Sequence, residues 1–389
     1  MRYFTADAIF SAHTGFVFGQ VLAVKDDGTI EGIMELQEMP SGITAEHIEG
    51  LLCPGFINTH CHLELSHLKG KIRRITGFSG FATELMRKRD GFSDAVKNSA
   101  MLEAEEEMYR NGIVAVGDIS NSNESFAIKA RGKLEYHTFV ELLALNSERA
   151  KSTFENGKKL LKLAPTPASL VPHAPYSVSS ELMQYIAEES RQANTPICIH
   201  NQESKAELDF FHNGTGGILD IYDFLGVDIS FFHAPGTTSV RAYLESLKIA
   251  PSLILVHNTL TTIEDINWAE QVHSNITWCF CPNANLYIEN ALPDFYGFYK
   301  EGVRCAIGTD SLASNDTLSV LDELKIITAE APEIPSETLL TWATANGAAA
   351  LNFTHLGTFE KGKKPGVIAI KGIEKNLKIT QHAFAERIV

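Results

Sequence analysis

The sequence predicts an α/β fold, a (β/α)₈ TIM barrel with a small β-sandwich built from both chain ends. Between residues 54 and 353, short apolar runs alternate with helical stretches eight times. These runs repeatedly end in His, Glu or Asp, and catalytic groups of such barrels lie at the carboxyl ends of the strands. Residues 1–53 and 354–389 both show short strands and turn signals, so we expect them to form one β domain beside the barrel at 54–353.

The first barrel strand is an apolar run, Pro54 to His62, that ends in two histidines one residue apart. Side chains alternate along a strand, so His60 and His62 face the same side and can bind one ion. Cys61 should face the other side, and we do not expect it to be a ligand. A bare His-x-His pair is equally compatible with exposed or core histidines, so the prediction depends on the rest of the sequence.

Beyond this strand we expect a loop to about Asp94 and a helix from about Ala95 to Arg110. Seven more strands are then predicted, each an apolar run that becomes polar at its end: 113–118, 136–141, 168–173, 196–200, 253–257, 276–281 and 304–310. A doubly wound open sheet is the competing fold, but no Gly-rich phosphate fingerprint follows an early strand. The long connection 204–239 is predicted to be a lid or a substrate-binding loop.

The chain is acidic, with 48 Asp and Glu residues, 33 Lys and Arg residues and a formal net charge of −15. Binding to a nucleic acid or an anionic membrane needs clustered cations, so we expect neither partner. The six cysteines lack C-x-x-C spacing and mostly lie in apolar runs, which is typical of buried free thiols in a reducing compartment. The first residues lack the charged-then-apolar pattern of a signal peptide, so we expect a cytoplasmic protein.

The polar residues at the strand ends form a set that suits a metal ion: His60, His62, His200, His257 and Asp310. Three neutral imidazoles and one carboxylate are a typical Zn²⁺ site, and Fe²⁺ would be tolerated. Asp310 is positioned to hold the activated water and to take its proton. Glu203 follows His200 by three residues and is a candidate proton donor to a small-molecule substrate.

Six motifs in order resemble the amidohydrolase superfamily, in its cytosine, guanine and S-adenosylhomocysteine deaminase branch. They are the Pro54–His62 segment, His173-Ala-Pro-Tyr-Ser, His200-Asn-Gln-Glu203, Val-His257-Asn, Cys281-Pro-Asn-Ala-Asn285 and Gly308-Thr-Asp310-Ser-Leu-Ala-Ser314-Asn315. The resemblance implies one ion held by His60, His62, His200 and Asp310. It also implies that His257 orients or activates the metal-bound water and that Glu203 protonates a ring nitrogen. Relatives with two ions carry a lysine at the end of the fourth strand, where this chain has His173.

Finer motifs, among them His62-Leu-Glu64-Leu-Ser66 and Val140-Glu141, are similar to those of aminodeoxyfutalosine deaminases. The resemblance therefore implies an adenine-type nucleoside as substrate, and a homodimer, since relatives often form one. It suggests His173, Glu64, Ser66 and Ser314 as substrate contacts. For His173 a structural role at its strand end stays open, and Glu64 and Ser66 are equally compatible with surface loop positions.

Three classes of function compete at this point. The first is a hydrolase acting on C–N bonds other than peptide bonds, which deaminates an aminodeoxyfutalosine-like nucleoside by attack of metal-bound hydroxide. S-adenosylhomocysteine, methylthioadenosine, guanine or cytosine are alternative substrates of that class. The second is a hydrolase of another C–N bond or of a C–Cl bond. The third is a non-catalytic scaffold, which would usually have lost metal ligands, whereas this sequence keeps every one.

Overall fold

The computed structural model describes all 389 residues. Fifteen strands follow each other along the chain. They are β1 (Arg2–Ser11), β2 (Gly15–Val17), β3 (Gln20–Val24), β4 (Ile30–Glu35), β5 (Glu46–Pro54), β6 (Phe56–Cys61), β7 (Ile113–Ser120), β8 (Glu135–Leu142), β9 (Ala168–Pro172), β10 (Ile197–Asn201), β11 (Leu253–His257), β12 (Ile276–Phe280), β13 (Cys305–Ile307), β14 (Val367–Lys371) and β15 (Phe384–Arg387).

Fourteen α-helices lie mostly between the strands from β6 onward. They are α1 (Gly77–Lys88), α2 (Asp94–Arg110), α3 (Phe126–Lys129), α4 (Ala150–Leu161), α5 (Ser180–Ala193), α6 (Lys205–Asn213), α7 (Gly217–Leu225), α8 (Ser239–Leu247), α9 (Ile263–Val272), α10 (Pro282–Ile288), α11 (Phe295–Glu301), α12 (Val320–Glu330), α13 (Ser336–Thr341) and α14 (Gly347–Ala350). A π-helical turn, Trp342–Asn346, joins the last two. No helix combines the length and the apolar character needed to cross a membrane.

Strands from the two chain ends pair in one seven-stranded sheet with the order β15-β14-β5-β1-β3-β4, and β2 pairs with β1. The central strand β5 runs parallel to β1 and antiparallel to β14, where Val367 lies opposite Pro54. The β5 strand is fully buried from Gly50 onward, which suits its position between two neighbours. It continues within two residues into β6, so the sheet is directly connected to the first predicted barrel strand.

The eight strands β6 to β13 are all parallel and form two four-stranded sheets, β6-β7-β8-β9 and β10-β11-β12-β13. The neighbouring edges of these sheets are linked near their carboxyl ends. The backbone nitrogen of His200 donates to the carbonyl oxygen of His173 at 3.0 Å, and Cys61 and Asp310 form a parallel bridge. This is the strand arrangement of a TIM-type barrel, and it brings the ends of β6, β10 and β13 together.

The helices begin and end where the sequence provides caps. In α5 the Ser179 side chain accepts from the backbone nitrogen of Leu182, and Asn194 ends the helix in the left-handed conformation with a φ of 54°. The predicted helix at 95–110 is confirmed as α2, which ends at Asn111 and the positive-φ Gly112. All eight predicted barrel strands are present within about two residues of their predicted ends, apart from the short β13.

Two parts of the chain differ from the sequence prediction. Residues 64–94 were expected to be a loop but contain a 3₁₀ helix, Leu63–Leu68, and the helix α1. Gly77 and Gly80 favour a loop locally, whereas contacts of the buried Phe78 and Phe81 with the rest of the fold stabilise the helix. The connection 204–239 is long, as predicted, but it contains α6 and α7. Phe210 of α6 stacks on Phe232 with ring centroids 4.0 Å apart.

Candidate active site

Three imidazole rings and one carboxylate converge at the carboxyl ends of the parallel strands. The Nε2 atom of His62 lies 3.1 Å from that of His60 and 3.3 Å from that of His200. The Oδ1 atom of Asp310 lies 3.4 Å from the Nε2 atom of His62 and 3.8 Å from that of His60. His60 and His200 belong to β6 and β10, His62 directly follows β6, and Asp310 lies three residues after the end of β13.

These donor atoms are close enough to one another to bind a metal ion. Zn–N bonds of about 2.0–2.1 Å in a tetrahedral site place neighbouring donor atoms about 3.3–3.4 Å apart, and the distances from His62 to His60, His200 and Asp310 are close to this value. Hydrogen bonds between the imidazole rings do not explain why these Nε2 atoms lie so close together, because a neutral imidazole carries only one N–H. Burial lowers the pKa of His62 and of His200 to about 3, and it lowers the pKa of His60 well below its ordinary value. All three rings therefore offer lone pairs at neutral pH.

Hydrogen bonds on the far ring nitrogens fix the tautomers of two histidines. The Nδ1 atom of His200 donates to the backbone carbonyl oxygen of His173 at 2.8 Å. The Nδ1 atom of His257 donates to the Oδ1 atom of Asn285, also at 2.8 Å. Both Nε2 atoms consequently carry a free lone pair, which His200 can donate to a metal ion and which lets His257 accept a hydrogen bond from a water molecule or a substrate.

Asp310 is held in place from two sides. Its Oδ2 atom accepts from the hydroxyl of Ser314 at 2.5 Å, and its backbone nitrogen donates to the carbonyl oxygen of His60 at 3.1 Å. The neighbouring Thr309 is tied to β6 as well, because its backbone nitrogen donates to the side chain of Asn58 at 3.0 Å. These bonds leave the Oδ1 atom of Asp310 directed at the histidine cluster.

Backbone strain is concentrated at the same strand ends. Gln202, His257, Asn258 and Asp310 have positive φ angles of 46°, 75°, 59° and 54°, a region that residues with a Cβ atom rarely adopt. Such conformations cost free energy and persist where the surrounding fold holds them, which happens most often at functional sites. The strain supports the assignment of these strand ends to one functional site.

Glu203 is a buried carboxylic acid beside the cluster, with 5% of its surface exposed. Burial raises its pKa well above the ordinary value, and the charges of Asp310, Glu207 and Glu289 add to this effect. Its Oε1 atom lies 3.7 Å from the Nε2 atom of His257. Such surroundings favour the protonated form of a carboxyl group, which is the form that can donate a proton to a bound molecule.

A cavity of about 640 Å³ opens onto these residues, a volume that suits a small-molecule ligand. Its inner end is lined by His62, His200, His257, Glu203 and Asp310. Its walls are mainly apolar and come largely from α1 and α7, with Phe78, Phe81, Met86, Ile218, Ile221 and Tyr222. The connection 204–239, predicted to shape the site, thus contributes one wall.

Four charged side chains also line the cavity: Arg89, Glu141, Arg149 and Asp228. Arg89 has a carboxylate partner in Asp90, but the atoms are 3.8 Å apart. Its charge is close enough to lower the pKa of His62, where burial has the larger lowering effect, and to lower the pKa of the Glu141 carboxyl, where burial has the larger and opposite effect. The cavity therefore combines apolar walls with cations that suit an anionic group on a ligand.

The structure brings the predicted metal ligands, His257 and Glu203 together, but it separates the four predicted substrate contacts. His173 lines the cavity, with its Nδ1 atom 2.7 Å from the hydroxyl of Ser177. Glu64, Ser66 and Ser314 do not line it. The Ser66 hydroxyl donates to the carbonyl of Leu63 at 2.7 Å, while Ser314 holds Asp310.

Glu64 is turned toward the loop after β7 rather than toward the cavity. Its Oε2 atom accepts from the backbone nitrogen of Asn121 at 3.1 Å, and its Oε1 atom accepts from the hydroxyl of Ser122 at 3.0 Å. The same Asn121 donates through its side chain to Glu141 at 2.8 Å. Glu64 consequently supports a cavity residue without lining the cavity itself.

Glu141, Arg89 and Arg149 line the cavity but were not assigned to the site from the sequence. Glu141 carries a signal that was available, since it ends the predicted strand 136–141 as His200 ends its own strand. Arg89 and Arg149 follow or precede helices, where charged residues are common, and no spacing distinguishes them. Buried free thiols were expected, and all six cysteines are free and buried.

Comparison with known proteins relates the chain to metal-dependent hydrolases. Residues 51–387 match the model of a family described as the amidohydrolase family. The chain is 25% identical to the 5-methylthioadenosine/S-adenosylhomocysteine deaminase of Halalkalibacterium halodurans, covering 98% of this chain and 86% of that protein. It is 27% identical to the aminodeoxyfutalosine deaminase of Deinococcus radiodurans, covering 89% of this chain and 84% of that protein.

A solved structure has the same fold over its whole length. The Helicobacter pylori aminofutalosine deaminase in complex with methylthio-coformycin superposes with a TM-score of 0.83 at 23% sequence identity. The match covers 100% of both chains. The seven-stranded sheet of the chain ends is therefore included in the shared architecture, together with the parallel strands that carry the site.

Proposed function

Because the chain belongs to the amidohydrolase family, we propose that it is a metal-dependent deaminase that hydrolyses the exocyclic amine of an adenine-type nucleoside and releases ammonia. One observation carries the proposal. Glu203, a buried carboxylic acid whose pKa is raised by its burial, lies beside His257 and the four predicted metal ligands, and it lines the same cavity as His62, His200, His257 and Asp310. Loss of an amine from a ring carbon needs an activated water and a proton donor at the same carbon.

His60, His62, His200 and Asp310 would hold one Zn²⁺ ion, and the same donors would accept Fe²⁺. When bound, such an ion lowers the pKa of a coordinated water to about 7 and makes hydroxide available at neutral pH. The short distances from the Nε2 atom of His62 to the donor atoms of His60, His200 and Asp310 support a single ion rather than two. The end of β9 offers His173 where relatives with two ions carry a lysine.

The residues around this cluster divide the proton transfers between them. Glu203 gives its proton to the ring nitrogen next to the carbon that carries the amine, which makes that carbon more electrophilic. His257 accepts a hydrogen bond from the attacking water through its free Nε2 atom, because Asn285 holds the proton on Nδ1. Asp310 accepts one proton of the water and passes it to the departing amine, and the proton left on the added hydroxyl returns to the Glu203 carboxylate as the carbonyl forms. The apolar walls exclude bulk water and strengthen each of these interactions.

For the substrate we propose a nucleoside of the aminodeoxyfutalosine type, which carries a carboxylated aromatic group. The apolar walls offer contact area for an aromatic ring, and Arg89 and Arg149 offer partners for a carboxylate. The Deinococcus radiodurans relative carries that name. Deaminases of methylthioadenosine or S-adenosylhomocysteine are related at similar identity, so these nucleosides belong in the test.

We further propose that β6 to β13 close into a complete (β/α)₈ barrel at residues 54–353, with a β-sandwich domain made of residues 1–53 and 354–389. The bonds between the edges of the two parallel sheets support closure. The pairing of β5 with β14 supports the domain made of both ends. Free buried cysteines support a cytoplasmic location, and the homodimer rests on the resemblance to relatives.

The test is ammonia release by the zinc-loaded protein from aminodeoxyfutalosine, S-adenosylhomocysteine, methylthioadenosine, adenosine, guanine and cytosine. We expect activity on the adenine nucleosides, highest with aminodeoxyfutalosine, and loss of activity in Glu203→Gln. Release from guanine or cytosine alone would overturn the substrate class while keeping the deaminase chemistry. Inactivity on all six compounds with stoichiometric zinc present would overturn the proposed function.

A further inference from the structure

Glu141 leaves one carboxylate oxygen without a partner inside the protein. The residue lies near the end of β8, lines the cavity and has 7% of its surface exposed. Its Oε2 atom accepts from the side chain of Asn121 at 2.8 Å, whereas its buried Oε1 atom has no hydrogen bond. Buried polar atoms are nearly always paired, so an unpaired oxygen beside a ligand cavity points to a partner on the ligand.

The nearest candidate partner within the protein is already occupied. The Nδ1 atom of His200 lies 3.8 Å from the Oε1 atom of Glu141, beyond hydrogen-bond distance. That nitrogen donates its single proton to the carbonyl oxygen of His173 at 2.8 Å. Glu141 is therefore not the group that orients His200, although the two residues are close.

The position of the carboxylate is fixed by a chain of hydrogen bonds from the metal-binding strand. Glu64, two residues after His62, accepts from the backbone nitrogen of Asn121 and from the hydroxyl of Ser122. Asn121 then donates to the Oε2 atom of Glu141. With one oxygen fixed in this way, the other cannot turn toward a protein donor without losing the Asn121 bond. The site is preorganised for an outside donor.

The chemistry of a nucleoside limits what that donor is. The ring nitrogens N1, N3 and N7 of adenine only accept, and the exocyclic amine is the group that leaves beside Glu203 and His257. In a nucleoside of the proposed aminodeoxyfutalosine type, whose side group ends in a carboxylate, the remaining donors are the hydroxyls of the pentose. A hydroxyl both donates and accepts, so it suits a carboxyl group in either protonation state.

We propose that Glu141, held by Asn121, is a specificity-determining residue that binds a hydroxyl of the substrate's pentose and makes the enzyme select ribonucleosides over one of their deoxy forms. This assignment rests on the proposed function, since it takes an adenine-type nucleoside as the occupant of the cavity. Loss of a hydrogen bond to a charged group typically weakens binding by roughly 10- to 100-fold.

The test measures binding so that turnover does not interfere. Dissociation constants of adenosine, 2′-deoxyadenosine and 3′-deoxyadenosine are determined with the zinc-loaded Glu203→Gln protein and with Glu203→Gln carrying Glu141→Gln. We expect one deoxynucleoside to bind roughly 10- to 100-fold more weakly than adenosine to the first protein. In the second protein we expect the difference to shrink to less than about threefold, because the partner of that hydroxyl is altered.

Glu135→Gln is the matched control, because Glu135 lies on the same strand but is exposed and pairs with His355. It should leave both the discrimination and the zinc content unchanged. Equal binding of all three nucleosides to Glu203→Gln, or discrimination that survives Glu141→Gln, would overturn the assignment, as would a loss of binding that is equal for all three. The proposed function is judged separately, by ammonia release from the wild-type protein.

Discussion

The backbone carbonyl oxygen of His173 accepts two hydrogen bonds from His200, one from its backbone nitrogen at 3.0 Å and one from its ring Nδ1 atom at 2.8 Å. The end of β9 thereby fixes both the position and the tautomer of a residue on β10. The Nε2 atom that results is a lone-pair donor directed at His60 and His62. This contact between two neighbouring strands thus orients the predicted metal ligand His200 without the help of an ion.

Replacing this ligand should abolish metal binding. In His200→Ala, the site loses one of three nitrogen donors, and we expect zinc affinity to fall by more than the roughly 100-fold typical of losing an outer-shell partner. Zinc content after dialysis should be far below one ion per chain, with ammonia release lost in parallel. His212→Ala, at an exposed position of α6, is the control and should retain both. Full zinc content in His200→Ala would contradict the ligand assignment.

Glu203→Gln should slow the release of ammonia without changing metal binding. The amide cannot supply the proton that Glu203 carries, so we expect the rate of ammonia release to fall by about 10²- to 10⁴-fold. Zinc content should stay at the wild-type level, because Glu203 is not directed into the donor cluster. The measurement is kcat for the best substrate together with elemental analysis. A rate within a few fold of wild type would rule out Glu203 as the proton donor.

The backbone at Gly308 approaches His60 too closely for a side chain. A Cβ atom there would lie 2.8 Å from the Cβ atom and 2.9 Å from the carbonyl oxygen of His60. We expect Gly308→Ala to displace β6 and to weaken zinc binding by roughly 10- to 100-fold, with a lower melting temperature. Gly91→Ala, in an exposed turn, is the control. The measurement is a zinc titration of both variants. Equal zinc affinities would show that β6 accommodates the added methyl group without weakening the site.

The buried carboxyl of Glu64 should make stability depend on pH. Burial raises its pKa from 4.5 to about 7, with the charge of Asp118 adding to the effect. Between these values the folded protein holds a proton that the unfolded chain has lost, so the free energy of unfolding falls as the pH rises. Glutamine removes this titration and keeps one bond to Asn121 through its carbonyl oxygen, while its NH2 group can donate to the hydroxyl of Ser122.

We therefore expect metal-free Glu64→Gln to lose less stability than metal-free wild type between pH 5 and pH 8. Urea unfolding midpoints of both proteins at the two pH values provide the measurement, and removal of metal avoids the separate pH dependence of ion binding. If the urea midpoints of the two proteins changed equally between the two pH values, the pKa of Glu64 in the folded protein would not be raised.

The strands and the metal ligands could be predicted because their signals are local in the sequence. Each barrel strand is an apolar run of a few residues, and His200, His257 and Asp310 end or directly follow such runs. In a parallel arrangement these ends must meet, so the order of elements was sufficient to bring the ligands together. The resemblance then implied a role for each residue, and these roles stay predictions until metal binding and activity are measured.

The cavity walls could not be predicted in this way, because long-range contacts decide them. The helix α1 contains two glycines that weaken it locally, and it is stabilised by packing against distant segments. Glu64 was expected to contact substrate, but its partners Asn121 and Ser122 lie on another loop, and nothing near Glu64 in the sequence indicates that pairing. Glu141 differs, because it ends the predicted strand 136–141, but its bond to Asn121 and its unpaired oxygen are visible only in the structure.

The pairing of β5 with β14 also bears on how the protein is made. Pro54 and Val367 are opposite each other although about 310 residues separate them, and a ribosome needs roughly 15–60 s to synthesise that length. Until then one edge of β5 is an unpaired, largely apolar strand that other nascent chains can pair with. The final residues of the chain cover that edge. These residues complete the strand pairing of β5, which leads directly into β6 and His60. The predicted metal site is therefore attached to a fully paired sheet only late in synthesis.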